Sequence, residues 1–277
     1  MRKLLSAGFV RLWKNKIFWT GAVLISGVII FAVIMNYRDM MSYDIVYTSD
    51  VFLTGCFVFI GCFTAAFASL FLGTEYSDGA IRNKLIAGHG RVSVYLSSLL
   101  LTAAASLLVC AISTFAAFAV GIPLLGQPVN PSLVLQKIGL GVLLVLSYSA
   151  LFTFLAMLIH NKPLLSIASV LLFFLLLFAA IYIAFMLDTP EYITGAYTMT
   201  VNGEVVPQEP YPNPAYLRGI KRAVYEFLQD LLPTGQSLLI GYDTASSNPL
   251  RMSLCSLLLT LGFTFTGILA FRRKDLK

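Results

Sequence analysis

Long apolar runs alternate with short polar breaks along the chain, and the run lengths set the first reading. Crossing a hydrocarbon core of about 30 Å takes about 20 apolar residues in a helix. Six segments reach that length, at 17–35, 51–72, 92–120, 133–159, 164–187 and 250–271. The third exceeds one crossing, so it either tilts or leaves the membrane near Gly121-Ile-Pro123. The pattern predicts an all-α integral membrane protein with six transmembrane helices.

Smaller elements fill the breaks. Residues 1–16 read as an interfacial amphipathic helix. Leu5, Phe9, Leu12 and Trp13 fall at i, i+4, i+7 and i+8 on one face, with Arg11 and Lys14 on the other. Phe9, Leu12 and Trp13 are the expected membrane-interface anchors, with the basic face toward anionic lipid. An ordinary juxtamembrane flank is the plain alternative.

A long loop, 188–249, separates the fifth and sixth runs. It carries Asn202-Gly203 between two β-prone stretches, a strong hairpin signal. The proline-rich stretch 207–214 excludes a central strand or a helix interior. It ends with Asn213 placed as an N-cap and Pro214 at a first helical position. The helix expected from there to about Leu232 has an apolar stripe of Leu217, Ile220, Val224, Phe227, Leu228 and Leu231. Arg218, Arg222, Glu226 and Asp230 are expected to face water, with Arg222 and Glu226 at i, i+4. Such a helix lies on the membrane surface or over the bundle mouth. Residues 232–241 are apolar but broken by Pro and Gly, and read as a re-entrant or interfacial element rather than a seventh span.

Composition supports the class. Of the 277 residues 58% are hydrophobic and 12% charged, about half the charge of a soluble domain. The net charge of +6 does not point to nucleic acid, because the bases cluster beside apolar runs. With the N-terminus inside, thirteen of the 19 Lys and Arg fall on the inner side, including Arg82, Lys84, Arg91, Lys162, Arg272, Arg273 and Lys274. Both termini are therefore expected to be cytoplasmic. Cys56, Cys62, Cys110 and Cys255 all lie in apolar runs and read as packing residues, not disulfides or metal ligands. No cleavable signal peptide is expected, since the first run is long enough to span. The organisation expected is 1–16, an interfacial helix; 17–187, five spans with an inner loop at 73–91; 188–249, an external subdomain; and 250–277, the last span and tail.

The chemistry that is missing narrows the function. The central parts of the runs carry no ionisable residue; Lys137 and His160 sit near ends. That argues against a proton relay, an intramembrane metal enzyme or a self-powered ion-coupled carrier. His160, beside Asn161 and Lys162, reads as a polar loop residue. No Gly-x-x-x-x-Gly-Lys-Ser/Thr phosphate loop occurs, so ATP hydrolysis by that route would fall to another chain.

The run Glu75-Tyr-Ser-Asp-Gly-Ala-Ile-Arg-Asn-Lys-Leu85 is the polar island that remains. Ser77 is placed to cap a short helix, with Asp78 in its first turn. Ile81 and Leu85 lie on one side; Arg82, Asn83 and Lys84 offer donors elsewhere. Gly88 and Gly90 are placed to end the helix and turn the chain back. A plain interfacial turn is the alternative.

This run resembles the segment after the second span in permeases of type-2 ABC transporters (the ABC-2 family). Glu75, Gly79, Ala80, Ile81 and Arg82 follow the family pattern, with Ala80 in place of the usual Thr. Leu232-Pro-Thr-Gly-Gln236 and the ending Gly267-Ile-Leu-Ala-Phe-Arg-Arg-Lys-Asp-Leu276 are similar to further family phrases. The resemblance implies a permease subunit, not itself an ATPase, paired with a second permease copy or a related one in the bacterial plasma membrane. It implies two ABC ATPase subunits that bind the ATP and Mg and dock on Glu75, Asp78, Gly79, Ile81, Arg82, Asn83, Lys84 and Leu85, and it implies export. Featureless apolar spans favour an amphiphilic peptide, antimicrobial, drug or lipid-like substrate. The competing reading is a non-transporting sensor or scaffold that binds a ligand with its outer loop.

Overall fold

The computed structural model describes residues 1–43, 49–193, 198–201, 204–207, 210–241 and 248–274. A helix α1 (Arg2–Trp13) leads into α2 (Lys16–Tyr43). A short α3 (Asp50–Thr54) runs through Gly55, which keeps helical torsions, into α4 (Cys56–Ser77), followed by the seven-residue α5 (Ala80–Ile86). Then come α6 (Arg91–Leu125), α7 (Pro131–Leu158) and α8 (Lys162–Asp188). The loop region holds β1 (Tyr192–Ile193), β2 (Thr198–Val201), β3 (Glu204–Pro207), β4 (Tyr211–Pro212), α9 (Ile220–Leu231) and α10 (Pro233–Gly241) before α11 (Pro249–Arg273). Among the described residues, 6 helices are long and apolar enough to cross a membrane, and they coincide with the six runs.

The bundle centres on α4 and α7, while α8 and α11 present mostly apolar side chains outward. Ridges of aromatic residues fill the centre: Phe63, Phe67 and Phe71 stack along α4, with ring centroids 5.6 and 4.9 Å apart. Short polar links tie neighbouring helices, which suits a medium with no water to compete. Ser26 Oγ of α2 lies 3.1 Å from Ser113 Oγ of α6. Thr64 Oγ1 of α4 lies 2.9 Å from Ser106 Oγ of α6. The over-long third run is one continuous 35-residue helix with Pro123 near its end. Pro123 has no N–H to give the carbonyl four residues back, and the helix ends two residues after it. Lys137 is buried within α7.

The loop region departs from expectation in three places. Strands β2 and β3 pair antiparallel in the expected hairpin register, Val201 opposite Glu204; the pair Asn202-Gly203 lies outside the described residues. A second pairing, β1 with β4, brackets it. Asn213 caps a turn rather than a helix: its Oδ1 accepts from Ala215 N at 3.0 Å and its Nδ2 donates to Pro190 O at 3.1 Å. The helix begins later, after Gly219, at Ile220.

The third departure is the place of one α9 residue. Asp230, expected to face water, is 1% exposed. Arg251 Nε donates to its Oδ2. Burial pushes the Asp230 carboxyl above the usual carboxylate range, and Arg251 beside it pulls it back. Arg222 and Glu226 do pair, at 3.1 Å.

The re-entrant element is a helix, α10, enclosed by α4, α7, α8 and α9. Four residues of the Leu232-Pro-Thr-Gly-Gln phrase have work in it. Pro233 opens the helix. Thr234 Oγ1 donates to Leu176 O of α8 at 2.7 Å. Gly235 admits the Gln229 carbonyl, which would lie 2.2 Å from a Cβ. Gln236 Nε2 donates to Asp230 O at 2.6 Å, and Ser256 Oγ of α11 donates to Gln236 Oε1 at 2.6 Å. Leu176 lies ~18 Å along α8 from its Asp188 end at 1.5 Å per residue, so α10 starts deep between the spans.

Candidate functional site

The polar corner built by α1, α4 and α5 is where charge gathers. Helix α4 ends at Ser77, and Gly79 turns the chain in the left-handed region (φ 67°). Asn83 N then donates to Gly79 O at 3.0 Å, which starts α5. At the other end Gly88 is left-handed too (φ 86°). Gly88 N donates to Leu85 O at 3.0 Å and His89 N to Lys84 O at 3.2 Å, the two-bond Schellman closure. Two glycines therefore set the bounds of α5 by backbone conformation. Ser77 does not cap the helix as expected; its Oγ donates back to Thr74 O at 3.1 Å and to Asp78 Oδ1 at 3.2 Å. Asp78 precedes α5 and is exposed.

Glu75 is the anchor. It is 2% exposed, on the last turns of α4. Oε1 accepts from Arg11 Nη1 at 2.6 Å and Oε2 from Lys84 Nζ at 2.9 Å. Arg11 also donates to Phe71 O at 2.9 Å and stacks over the Phe71 ring at 4.3 Å. One carboxylate thus ties α1 and α5 to the end of α4. A buried acid with two basic partners satisfies what an unpaired charge in that place could not.

The orientation of α5 follows. Lys84 must face Glu75, and Ile81 and Leu85 flank Lys84 on the helix surface. Ile81 is 1% exposed and Leu85 packs half-buried against the bundle. Neither is free to fill a groove on another protein, which corrects the expectation that they face outward. The outward surface carries Arg82, Asn83 and Ile86, the last 73% exposed. Ile86 was missed because the helix was oriented by its apolar pair alone. A Glu75–Lys84 pairing would have turned it correctly.

The α1 helix is corrected in the same way. Its packed face is Leu4, Gly8 and Leu12, spaced by four. Gly8 lets Leu101 of α6 press in, at 2.2 Å from where a Cβ would stand. Leu12 is therefore a core residue, not a membrane anchor, and Arg11 faces Glu75 rather than lipid. Phe9 and Trp13 do point outward. Trp19 Nε1 donates to Trp13 O at 2.9 Å, joining an aromatic group with Phe18 at the start of α2.

Three residues outside the expected set complete this face. Tyr76 donates its hydroxyl to Met157 O at 3.1 Å, at the end of α7. Lys274 donates to Leu158 O at 2.8 Å and to Met157 O, and lies 5.1 Å from the Tyr76 ring centre. Arg91 Nη1 donates to Phe271 O at 3.1 Å and Arg272 O at 3.0 Å, at the end of α11. Cations on the last carbonyls of a helix offset the negative end of its dipole. Burial lowers the Lys274 ammonium to about 8. His160 is an exposed loop residue as expected; partial burial, then the Lys274 charge, lowers it.

The family model described as "ABC-2 family transporter protein" matches residues 4–196, which take in α1 from Leu4 onward, α2 through α8, and Arg11, Glu75 and Lys84 of the corner. The chain belongs to the ABC-2 transporter family. It is a multi-pass membrane protein and the permease subunit of an ABC transporter, and permeases of this family work with ABC ATPase subunits. A search of curated proteins gave no match. The ABC-2 assignment rests on the region holding α5, and the α9–α11 region lies beyond the match.

Proposed function

We propose that this chain is the membrane-spanning half of a bacterial plasma-membrane exporter, driven by a separate ABC ATPase that grips α5 from the cytoplasm. The observation that carries the reading is the build of α5. A short helix is bracketed by two left-handed glycines, offers Arg82, Asn83 and Ile86 outward, and is fastened by Lys84 to the buried Glu75. A push on its tip passes through Glu75 to α4 and, through Arg11, to α1.

In this reading both termini are cytoplasmic. Two copies, or this chain and a related permease, enclose the path. Two ATPase chains supply ATP and Mg, for which this chain has no phosphate loop. Asp78 and Arg82 offer opposite charges to an ATPase groove, and Ile86 its apolar contact. The substrate is an amphiphile of the peptide, antimicrobial, drug or lipid-like kind, because the spans present apolar walls with only short hydroxyl links.

The test pairs Arg82→Glu with Ile86→Asp in the full chain, co-expressed with an ABC ATPase. The double variant should lose ATPase co-purification and substrate-stimulated hydrolysis while its melting temperature in detergent stays within a degree or two. Retention of both activities would overturn the docking surface.

A further inference from the structure

Helix α9 is amphipathic in the reverse sense for a helix packed on a protein core. Its enclosed residues are Gln229 and Asp230, while Ile220 (84% exposed), Val224 and Phe227 point away from the bundle at i, i+4 and i+7. Asp230 faces inward, where Arg251 holds its carboxylate and Gln236 its backbone carbonyl, and Gln229 beside it is enclosed as well. The apolar stripe is left outside.

The surroundings say what covers it. Helix α9 packs beside α8, whose Phe178, Ile181, Tyr182 and Phe185 are exposed on a membrane-spanning helix. Tyr225 of α9 sits against Tyr182, so the α9 stripe continues the lipid-facing surface of α8. Tyrosines gather at the level of lipid headgroups. The start of α9 is basic. Arg218 precedes the helix, Lys221 and Arg222 lie in its first turn, and the Tyr216 ring centre lies 5.7 and 5.4 Å from the guanidinium carbons of Arg218 and Arg222. Glu191 pairs with Arg218 at 3.2 Å and Glu226 with Arg222 at 3.1 Å, both on exposed or half-buried side chains. Such pairs exchange readily with water or with a competing anion.

We propose that α9 is a docking surface for anionic lipid in the leaflet on its side of the membrane. Ile220, Val224 and Phe227 lie among the acyl chains, and Arg218, Lys221 and Arg222 take the headgroup phosphates. An apolar stripe with Lys221 at its edge and further bases on the polar side is the pattern of interfacial helices that prefer anionic bilayers. The site lies on the opposite face from α5, so its lipids meet the α9–α10–α11 unit and not the corner at Glu75.

Two readouts on the full-length protein test this. The first is a nitroxide at Val224→Cys, in a Cys62→Ser background because Cys56, Cys110 and Cys255 are buried. In vesicles of phosphatidylcholine with phosphatidylglycerol, oxygen should reach the label and a water-soluble nickel chelate should not. Access by nickel, or by neither probe because a second copy covers the stripe, would overturn the proposal. The second is the ratio of phosphatidylglycerol to phosphatidylcholine retained on protein extracted from such vesicles, counted by mass spectrometry. Changing Arg218, Lys221 and Arg222 together to Gln should cut that ratio about fivefold or more. A variant with Arg218→Lys and Arg222→Lys should keep it. An unchanged ratio in the Gln variant would show that these bases do not hold anionic headgroups.

Discussion

Glu75 Oε1 lies 2.6 Å from Arg11 Nη1, which joins the first helix of the chain to the end of the second span. Lys84 takes the other carboxylate oxygen at 2.9 Å. Removing the acid leaves two cations with nothing between them. Breaking a fully buried pair costs about 3–5 kcal/mol, but Arg11 and Lys84 are partly exposed, so the expected loss for Glu75→Ala is about 1–3 kcal/mol. Glu75→Gln keeps one acceptor oxygen and should cost less. Thermal unfolding of the detergent-purified protein measures both. A Glu75→Ala melting curve that overlays the wild type would remove the acid from its anchoring role.

The two isoleucines of α5 should behave oppositely. Ile81 packs in the bundle, and its truncation to Ala should cost about 2–4 kcal/mol. Ile86 projects into solvent, and Ile86→Ala should change stability by less than about 0.5 kcal/mol while weakening ATPase co-purification. Equal stability losses at the two positions would mean that α5 does not rest on the bundle with this face.

Leu12 on α1, Ile81 on α5 and Asp230 on α9 face the other way from the sequence reading, for one physical reason. The six spans, the paired strands around 202–203 and the existence of α5 are legible, because run length and turn chemistry survive in a membrane protein. The direction of an amphipathic helix does not survive as well. In water an apolar stripe points to the core; beside lipid it points to the core or to the bilayer with similar gain. Hence Leu12 is inside and Phe9 outside on α1, Ile81 inside and Ile86 outside on α5, and the α9 stripe is outside. Polar residues are the better compass here. A carboxylate in an apolar place needs a partner, and pairing Glu75 with Lys84, or Asp230 with Arg251, turns its helix the right way.

Gly88 tests the closure of α5. A Cβ there would touch nothing within 4 Å, so any effect of substitution comes from its φ of 86° alone. A left-handed residue with a side chain costs about 1–2 kcal/mol, and Asn tolerates that region better than most. Damage should therefore rise from Asn to Ala to Val, read as faster protease cleavage between 86 and 91 and weaker stimulation of the partner ATPase. A series in which Asn is the most damaging would put the role of Gly88 elsewhere.

Gly235 tests space rather than conformation. Its Cβ would stand 2.2 Å from the Gln229 carbonyl oxygen, and backbone cannot retreat as a flexible side chain can. Gly235→Ala should cost about 1–3 kcal/mol by overpacking. It should also part Gln236 from the Asp230 carbonyl, so hydrogen exchange should rise in α9 and α10 while α4 to α6 stay protected. Uniform protection across all of these helices would show that the turn absorbs a methyl group.

Lys274 gives a pH dependence whose sign is fixed by the direction of its shift. Burial lowers the ammonium from 10.5 to about 8 in the folded chain. Below pH 8 both folded and unfolded chains hold the proton, and Lys274 adds no slope. Between about 8 and 10.5 the unfolded chain binds more protons than the folded one, so stability gains from this group as pH rises through that window. The side chain is partly exposed, so the gain should be on the order of 1 kcal/mol or less. Lys274→Met removes the titrating group together with its contacts to the Met157 and Leu158 carbonyls. The variant should melt lower than the wild type at pH 7, and the gap should widen from pH 7.5 to 10. A gap that narrows over that range would mean that the carbonyls and the Tyr76 ring hold the ammonium charged more strongly than burial opposes it.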